Sequence, residues 1–506
     1  KSKIDVTLSD DAKALDEVVV IGYGTAKRKD ITGSVASVNS ETLAAIPVAS
    51  ATEALQGKMA GVQITTTEGS PDAQMSIRVR GGGSITQSNE PLFIVDGFPV
   101  ESISDIPPTD IESIDVLKDA SSTAIYGARG ANGVIIVTTK SGKEGKVSVS
   151  YNAYYAWKKV AKTLDVLSAS DYTKWQYELA QLTNKNDDYI KYFGNYQDLD
   201  MYDNVATNDW QDLTFGRTGH SFNHNLSING GSDKFKYSFS YSHIDDKAIM
   251  QMSDYARDNL NLKLNHKPLK NVSLDFSARF SKTKINGGGS NDANSSLNTD
   301  KRLKYSLLYT PYPVPGISDA LNADEEDANS LLINPLISLR DNDTRKERIN
   351  YNLAGSITWE IIKDLKLKAE VGYDDYRNNA DRYYGVTTYY VRNNVDDEDK
   401  SKPAISFTRG TRTAFRSTNT LSYDFKKFFK NNKNHLNLLA GQEYIVTRER
   451  ELRNVVHGFP TEYTADDCIN YSTKGNPYEV TNYGYPDDVL FSFFGRANYD
   501  FDSKYL

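Results

Sequence analysis

Residues 271–281 read N-V-S-L-D-F-S-A-R-F-S, and this alternation decides the fold. Successive side chains of an extended chain point to opposite sides. Val272, Leu274, Phe276, Ala278 and Phe280 therefore share one face, and Ser273, Asp275, Ser277, Arg279 and Ser281 the other. Such a strand needs an apolar medium on one side and a polar one on the other. Residues 235–242 (F-K-Y-S-F-S-Y-S), 259–265 (N-L-N-L-K-L-N) and 365–374 (L-K-L-K-A-E-V-G-Y-D) repeat the pattern. Further strands fall near 147–157, 220–229, 347–360, 411–427, 434–447 and 490–501, about ten in all.

A soluble sheet with one wet face alternates in the same way, so the connections have to decide. Long ones (158–219, 243–255, 284–346, 379–410, 448–489) alternate with short ones (230–233, 267–270, 361–364, 428–433). A sandwich has no reason to gather every long connection at one end, whereas an outer-membrane barrel carries short periplasmic turns and long outer loops. Strands of about 8–14 residues also suit a tilted crossing of a bilayer. The expectation is a transmembrane antiparallel β-barrel over residues 146–506.

Composition agrees with a wet interface. Tyr (33) far outnumbers Phe (19) and Trp (4), and tyrosine joins a large apolar ring to a polar tip. No apolar run approaches the roughly 18 residues of a spanning helix, and barrel strands carry a much weaker signal. The net charge is −8 and no basic block stands out, which argues against a nucleic-acid partner. Cys468 is the single cysteine; it reads as a lone loop thiol, with no partner for a disulfide or a cysteine-based metal site.

Upstream, the character changes twice. In residues 1–33, Asp16 and Glu17 precede Val18, Val19, Val20 and Ile21, and two glycines with a basic cluster follow. Four β-branched residues in a row favour an extended chain. The segment suits addition as a strand to a partner's sheet edge, and an ordinary edge strand is the alternative. Residues 34–142 read as a compact α/β unit, with strands at 61–66, 75–80, 92–95, 114–117 and 134–139 and short helices at 51–59 and, after the capping-type Asp119, at 121–126. Its glycine runs at 81–83 and at Gly127, Gly130 and Gly133 lack the Lys-Ser/Thr ending of a P-loop and read as tight turns.

Residues 15–25 (L-D-E-V-V-V-I-G-Y-G-T), 55–62 (L-Q-G-K-M-A-G-V), 77–81 (I-R-V-R-G), Val95-Asp96-Gly97 and the run 114–140 resemble the SusC family of TonB-dependent transporters. The resemblance is dense over residues 15–142 and one of pattern alone over the barrel. It implies that residues 1–14 end a preceding immunoglobulin-like domain, that 15–33 hold the TonB box and its linker, and that 34–142 form a plug inside the barrel lumen. It implies a complete barrel of 22 strands, the size expected of plugged transporters. About ten strands cannot enclose such a plug, so the chain is expected to be the N-terminal part of a longer protein.

The function implied is TonB-dependent import of a large nutrient, foremost an oligosaccharide, across the outer membrane of a Gram-negative bacterium. The implied partners are TonB with ExbB and ExbD, a SusD-like surface lipoprotein and outer-membrane lipid, with room for a dimer of transporter–lipoprotein pairs. Oligopeptide import and a signalling receptor are the alternatives. Asp16, Glu17, Val18, Val19, Val20 and Ile21 would form the TonB box. Glycan sites favour aromatic faces and amide or carboxylate side chains in a concave pocket. The candidates are Gln87, Ser88, Asn89 and Glu90 in a plug turn, and Tyr383, Tyr384, Tyr389 and Tyr390 in a long outer loop.

No cofactor or metal is expected. His220 and His224 sit four residues apart in a strand, roughly 13 Å, which is too far to share a zinc ion. The acidic runs at 324–327 and 396–399 lack the spacing of a calcium loop and read as solvated charge. HExxH, nucleophile-elbow and Walker motifs are absent from the sequence, which argues against an enzyme.

Overall fold

The computed structural model describes residues 18–21, 24–27, 34–44, 48, 50–66, 75–86, 88–287, 302–315, 333–392, 398–425 and 434–501. Two short strands, β1 (Val18–Ile21) and β2 (Gly24–Lys27), pair antiparallel. Next come β3 (Val35–Asn39), β4 (Val62–Thr66), β5 (Met75–Val79), β6 (Leu92–Val95), β7 (Phe98–Val100), β8 (Ile111–Leu117) and β9 (Val134–Thr139). These form a five-stranded sheet in the order β3-β8-β9-β6-β7 and a separate β4–β5 pair. The apolar runs of β8 and β9 are the centre of this unit. Ile114, Val116, Leu117 and residues 134–137 are all buried, and they pack into two clusters, one gathered round Ile114, Val116, Ile135 and Val137 and the other round Leu117, Val134 and Ile136. Continuous rather than alternating apolar character is what a strand covered on both faces requires.

The expected helix at 51–59 is shorter: Ala51–Ala54 is helical, capped by Ser50 Oγ accepting from Glu53 N, and turns follow. The one at 121–126 starts at Ala120 and turns 3-10 after Thr123, with a break at Gly127, whose φ is +59°. Asp119 does not cap that helix with its side chain. It accepts instead from Ser34 N at 2.5 Å and from Arg80.

The remaining strands are β10 (Gly145–Lys158), β11 (Gly219–Gly231), β12 (Phe235–Lys247), β13 (Asp254–Leu269), β14 (Val272–Asn286), β15 (Thr344–Ile362), β16 (Leu365–Tyr384), β17 (Ala404–Asp424), β18 (Asn434–His457), β19 (Asn476–Gly484) and β20 (Asp488–Phe501). Each pairs antiparallel with its neighbour in sequence as far as β19. β19 and β20 both lie along the same edge of β18, and together they make one broken strand. Gly484 faces Arg450 and Asp488 faces Thr447, so three residues oppose two. Pro486 sits in that break; it has no N–H for the ladder, so it belongs at such a bulge. Counted this way, ten strand lines cross the sheet.

The alternation is inside-out, as a membrane barrel requires. On the outer face Phe276, Leu353, Val371 and Phe491 are exposed. The opposite face buries polar groups, including Asn225, Ser240, Arg257, Asn352, Asp374, Arg416 and Glu443. One expectation, the strand length, needs correction. β10–β12, β19 and β20 fall within the expected 8–14 residues, but β13–β18 are longer, reaching 24 in β18 against the about 9–11 of a crossing, so β16–β18 rise well beyond the apolar belt. The connection expected at 379–410 is therefore shorter, running from residue 385 to 403. The long connections carry helices of their own, among them Ala169–Thr183, Asn186–Phe193 and Trp210–Phe215 before β11.

Candidate functional site

The α/β unit is fastened to the polar face of the sheet by charged groups. Its β6–β7 turn is the two-residue Asp96–Gly97, both with positive φ (51° and 86°), the conformation that Asp-Gly pairs favour in tight hairpins. The Asp96 carboxylate accepts from Lys263 Nζ at 2.7 Å and from Thr139 N and Oγ1 at 2.9 and 2.7 Å, and Arg279 stands 3.9 Å away. Burial works against its ionised form, yet these cations and hydrogen bonds hold its carboxyl below the usual range. The Gly97 carbonyl accepts from Arg416. Arg416 also pairs with Glu370 at 3.0 Å and with Glu443 at 2.8 Å, and Glu443 in turn holds Arg129 at 2.9 Å. Phe98 presses on the wall at Gly372, where a Cβ would stand 2.6 Å from its ring. Arg348–Asp105 at 3.1 Å and Arg257 donating to the Ser104 carbonyl at 2.9 Å complete the attachment.

Above this contact, toward the end with the long connections, lies a cavity of about 1240 Å³. That is larger than most small-molecule pockets, which hold about 300–1,000 Å³. Its plug side is lined by Ser50, Thr52, Glu53, Gln56 and Arg78, and by Ser88, Asn89 and Glu90. Its wall side includes Tyr154, Asn259, Asn350, Asp374, Tyr376 and Arg412. Burial, with Glu101 nearby, pushes the Glu90 carboxyl up.

Of the expected site residues, Ser88, Asn89 and Glu90 line this cavity. Asn89 has its amide committed to the loop: its Oδ1 accepts from Ser84 N at 2.8 Å and its Nδ2 donates to the Ser84 carbonyl at 2.7 Å. Gln87 lies outside the described residues, as do Asp16 and Glu17, the run 324–327, Asp396 and Asp397. Val18, Val19, Val20 and Ile21 form β1, extended as expected. Tyr383 and Tyr384 are not in a loop. They end β16 and are buried, because the strand runs on past the apolar belt. Tyr383 packs on the outer side with Ile405, Phe459 and Cys468. Cys468 sits on the helix Ala465–Asn470, fully buried, and burial pushes its thiol up to about 12. Tyr389 opens the helix Tyr389–Arg392, and Tyr390 Oη lies 3.0 Å from His457 Nε2. Tyr383, Tyr384 and Tyr390 are not among the residues lining the cavity.

Tyr154 and Tyr376 are two of the aromatic wall residues, beside Tyr255 and Phe280, that the reading of the sequence missed. Both signals were present in the alternation: Tyr154 follows Ser148, Ser150 and Asn152, and Tyr376 follows Glu370 and Asp374, each in the polar register of its strand. An aromatic in that register faces the lumen rather than lipid.

The TonB-dependent Receptor Plug Domain family matches residues 27–134. TonB-dependent receptor P3 of Formosa agariphila is 31% identical over 521 residues, covering 100% of this chain and 47% of that protein. TonB-dependent receptor SusC of Bacteroides thetaiotaomicron is 40% identical over 266 residues, covering 51% of this chain and 25% of that protein. The structure of the RagAB peptide importer in its open-open state superposes with a TM-score of 0.74 at 27% identity, covering 96% of this chain and 55% of that one. The chain thus spans about half the length of the relatives that it matches from end to end.

Proposed function

We propose, since this chain belongs with the SusC-like TonB-dependent transporters, that the whole protein imports a large nutrient across the outer membrane of a Gram-negative bacterium, with TonB supplying the force. The carrying observation is the make-up of the cavity. Part of its lining, from Ser50 to Arg78, comes from the helix Ala51–Ala54 with the turn after it and from the β4–β5 pair, which follow β3 and the segment read as the TonB box along the chain. Tension on Asp16, Glu17, Val18, Val19, Val20 and Ile21, delivered by TonB with ExbB and ExbD, would reach this N-terminal part of the unit before the β6–β7 turn. The β6–β7 turn is held by Asp96 and Arg416. In this reading 15–33 is coupling segment and linker, 34–142 plug, 146–506 barrel, and 1–14 the end of a preceding immunoglobulin-like domain.

An oligosaccharide is the favoured cargo. Tyr154 and Tyr376 offer ring faces, and Asn259, Asn350 and Asp374 offer groups for hydroxyls. Oligopeptides are the second reading, favoured by the likeness to a peptide importer. A SusD-like lipoprotein would close the outer end, in a dimer of such pairs, with Ser88, Asn89 and Glu90 facing the captured ligand. The test is to replace Val18, Val19 and Val20 by proline, which cannot complete an added-strand ladder. Uptake of the oligosaccharide that supports the host's growth should cease, while surface binding and barrel assembly persist. Undiminished uptake would remove the coupling role.

A further inference from the structure

The end of the sheet that carries the short turns has a crevice of its own on the lipid-facing side. Phe235 of β12, Leu264 and His266 of β13, and Leu274 and Phe276 of β14 line a hollow of about 320 Å³. Register puts these side chains together: Phe235 faces His266, His266 faces Leu274, and Leu264 faces Phe276. Phe235 meets the His266 ring edge-on, with 6.0 Å between centroids. Leu269, the last residue of β13, extends the apolar rim and is exposed. Neighbouring strands are present on both sides, β10 and β11 beside β12 and β15 to β18 beyond β14.

Positive charge gathers where this crevice meets the end of the ladder. The Lys234 carbonyl accepts from Lys267 N at 2.7 Å and from His266 Nδ1 at 3.1 Å, so Lys234 and Lys267 are held side by side across the strand pair. Lys270 follows in the next turn, and all three lysines are exposed. None of them makes an ion pair among the described residues. Asp233 is the one carboxylate of the two turns, and Asp275, at the crevice, already accepts from Asn265 and Ser356. Like charges directly opposite each other destabilise a strand pair, and an anion placed between them removes the repulsion. The short turns of such a barrel face the periplasm, which sets these lysines at the level of the phosphates of the inner leaflet. Lysine stems lie along apolar surface while their ammonium groups reach the wet headgroup layer.

We propose that the crevice and Lys234, Lys267 and Lys270 form a binding site for one anionic phospholipid of the inner leaflet. An acyl chain lies along Phe235, Leu264, Leu274 and Phe276, and the phosphate bridges the lysines. The site rests on the membrane reading of the sheet and is independent of the cargo. The apolar hollow holds the chain whatever the headgroup, and the lysines select net negative charge. A zwitterionic head brings its own ammonium against them and gains less.

The test is native mass spectrometry of the purified full-length transporter in detergent, titrated with dioleoyl phosphatidylglycerol, dioleoyl phosphatidylethanolamine and glycerol 3-phosphate. Phosphatidylglycerol should bind about tenfold more tightly than phosphatidylethanolamine, and glycerol 3-phosphate, which has no chains, should not be retained. Lys267→Gln should weaken phosphatidylglycerol about fivefold, and Lys234→Gln combined with it about twenty-fivefold. Should the double variant misassemble, the single one decides. Equal binding of the two lipids, or unchanged phosphatidylglycerol binding in the folded lysine variants, overturns the site and leaves the barrel standing. Glycerol 3-phosphate held as tightly as phosphatidylglycerol overturns the lipid and leaves a plain anion site. Retention of no lipid overturns the site, and failure to insert into vesicles of the same two lipids would overturn the membrane reading with it.

Discussion

Arg416→Ala tests how the plug is seated. Arg416 is buried and serves three acceptors at once: Glu443, Glu370 and the Gly97 carbonyl. Breaking a buried pair by removing one partner costs about 3–5 kcal/mol, mostly for the charge left behind. Here Glu443 would keep Arg129 at 2.9 Å and Glu370 would keep Lys368 at 2.6 Å, so the lower end, about 3 kcal/mol, applies. At about 1.4 kcal/mol per decade, the β6–β7 turn should open roughly a hundredfold more often. Hydrogen exchange of residues 95–100 in the full-length protein reads that opening directly. Protection there should fall by about two orders of magnitude while β13 and β14 stay unchanged. Arg129→Ala should combine with it more than additively, since the two arginines share Glu443. Unaltered exchange in Arg416→Ala would refute the seating described.

Two further outcomes follow from the same interface. Gly372→Val places side-chain atoms where Phe98 already sits, so plug docking should weaken by about 1–3 kcal/mol, seen as a lower melting temperature that Phe98→Ala partly restores. Asp96 sets a pH dependence. Its carboxyl is held low when docked, so its contribution is present above the free value of about 4 and is lost as pH falls through the lowered one. Asp110, which burial pushes up, acts in the opposite sense. The difference between native protein and Asp96→Asn should therefore be full near neutrality and vanish in strong acid, as followed by plug release.

Much of this architecture was legible in the sequence because a bilayer writes a strong contrast onto strands. Phe276 and Arg279 differ in the side they must face, and a one-residue slip would exchange them. The contrast ends where the membrane ends. Residues 377–384 alternate between polar groups on both sides, so β16 reads as loop there although the ladder continues to Tyr384. The plug was legible for another reason, since runs such as Val134 to Val137 need cover on both faces. Contacts across that boundary were not. Lys263 lies 167 residues from Asp96, and only the docking of the plug on the sheet brings them together.

The central claim is that import is driven rather than passive, and the energy source offers the most direct measurement. Cells carrying the full-length transporter should take up labelled oligosaccharide until a protonophore collapses the inner-membrane gradient. The account predicts that uptake then stops while binding at the surface remains. Continued uptake at the original rate would show an open pore, and would contradict both the coupling role of Val18–Ile21 and the plug as a gate.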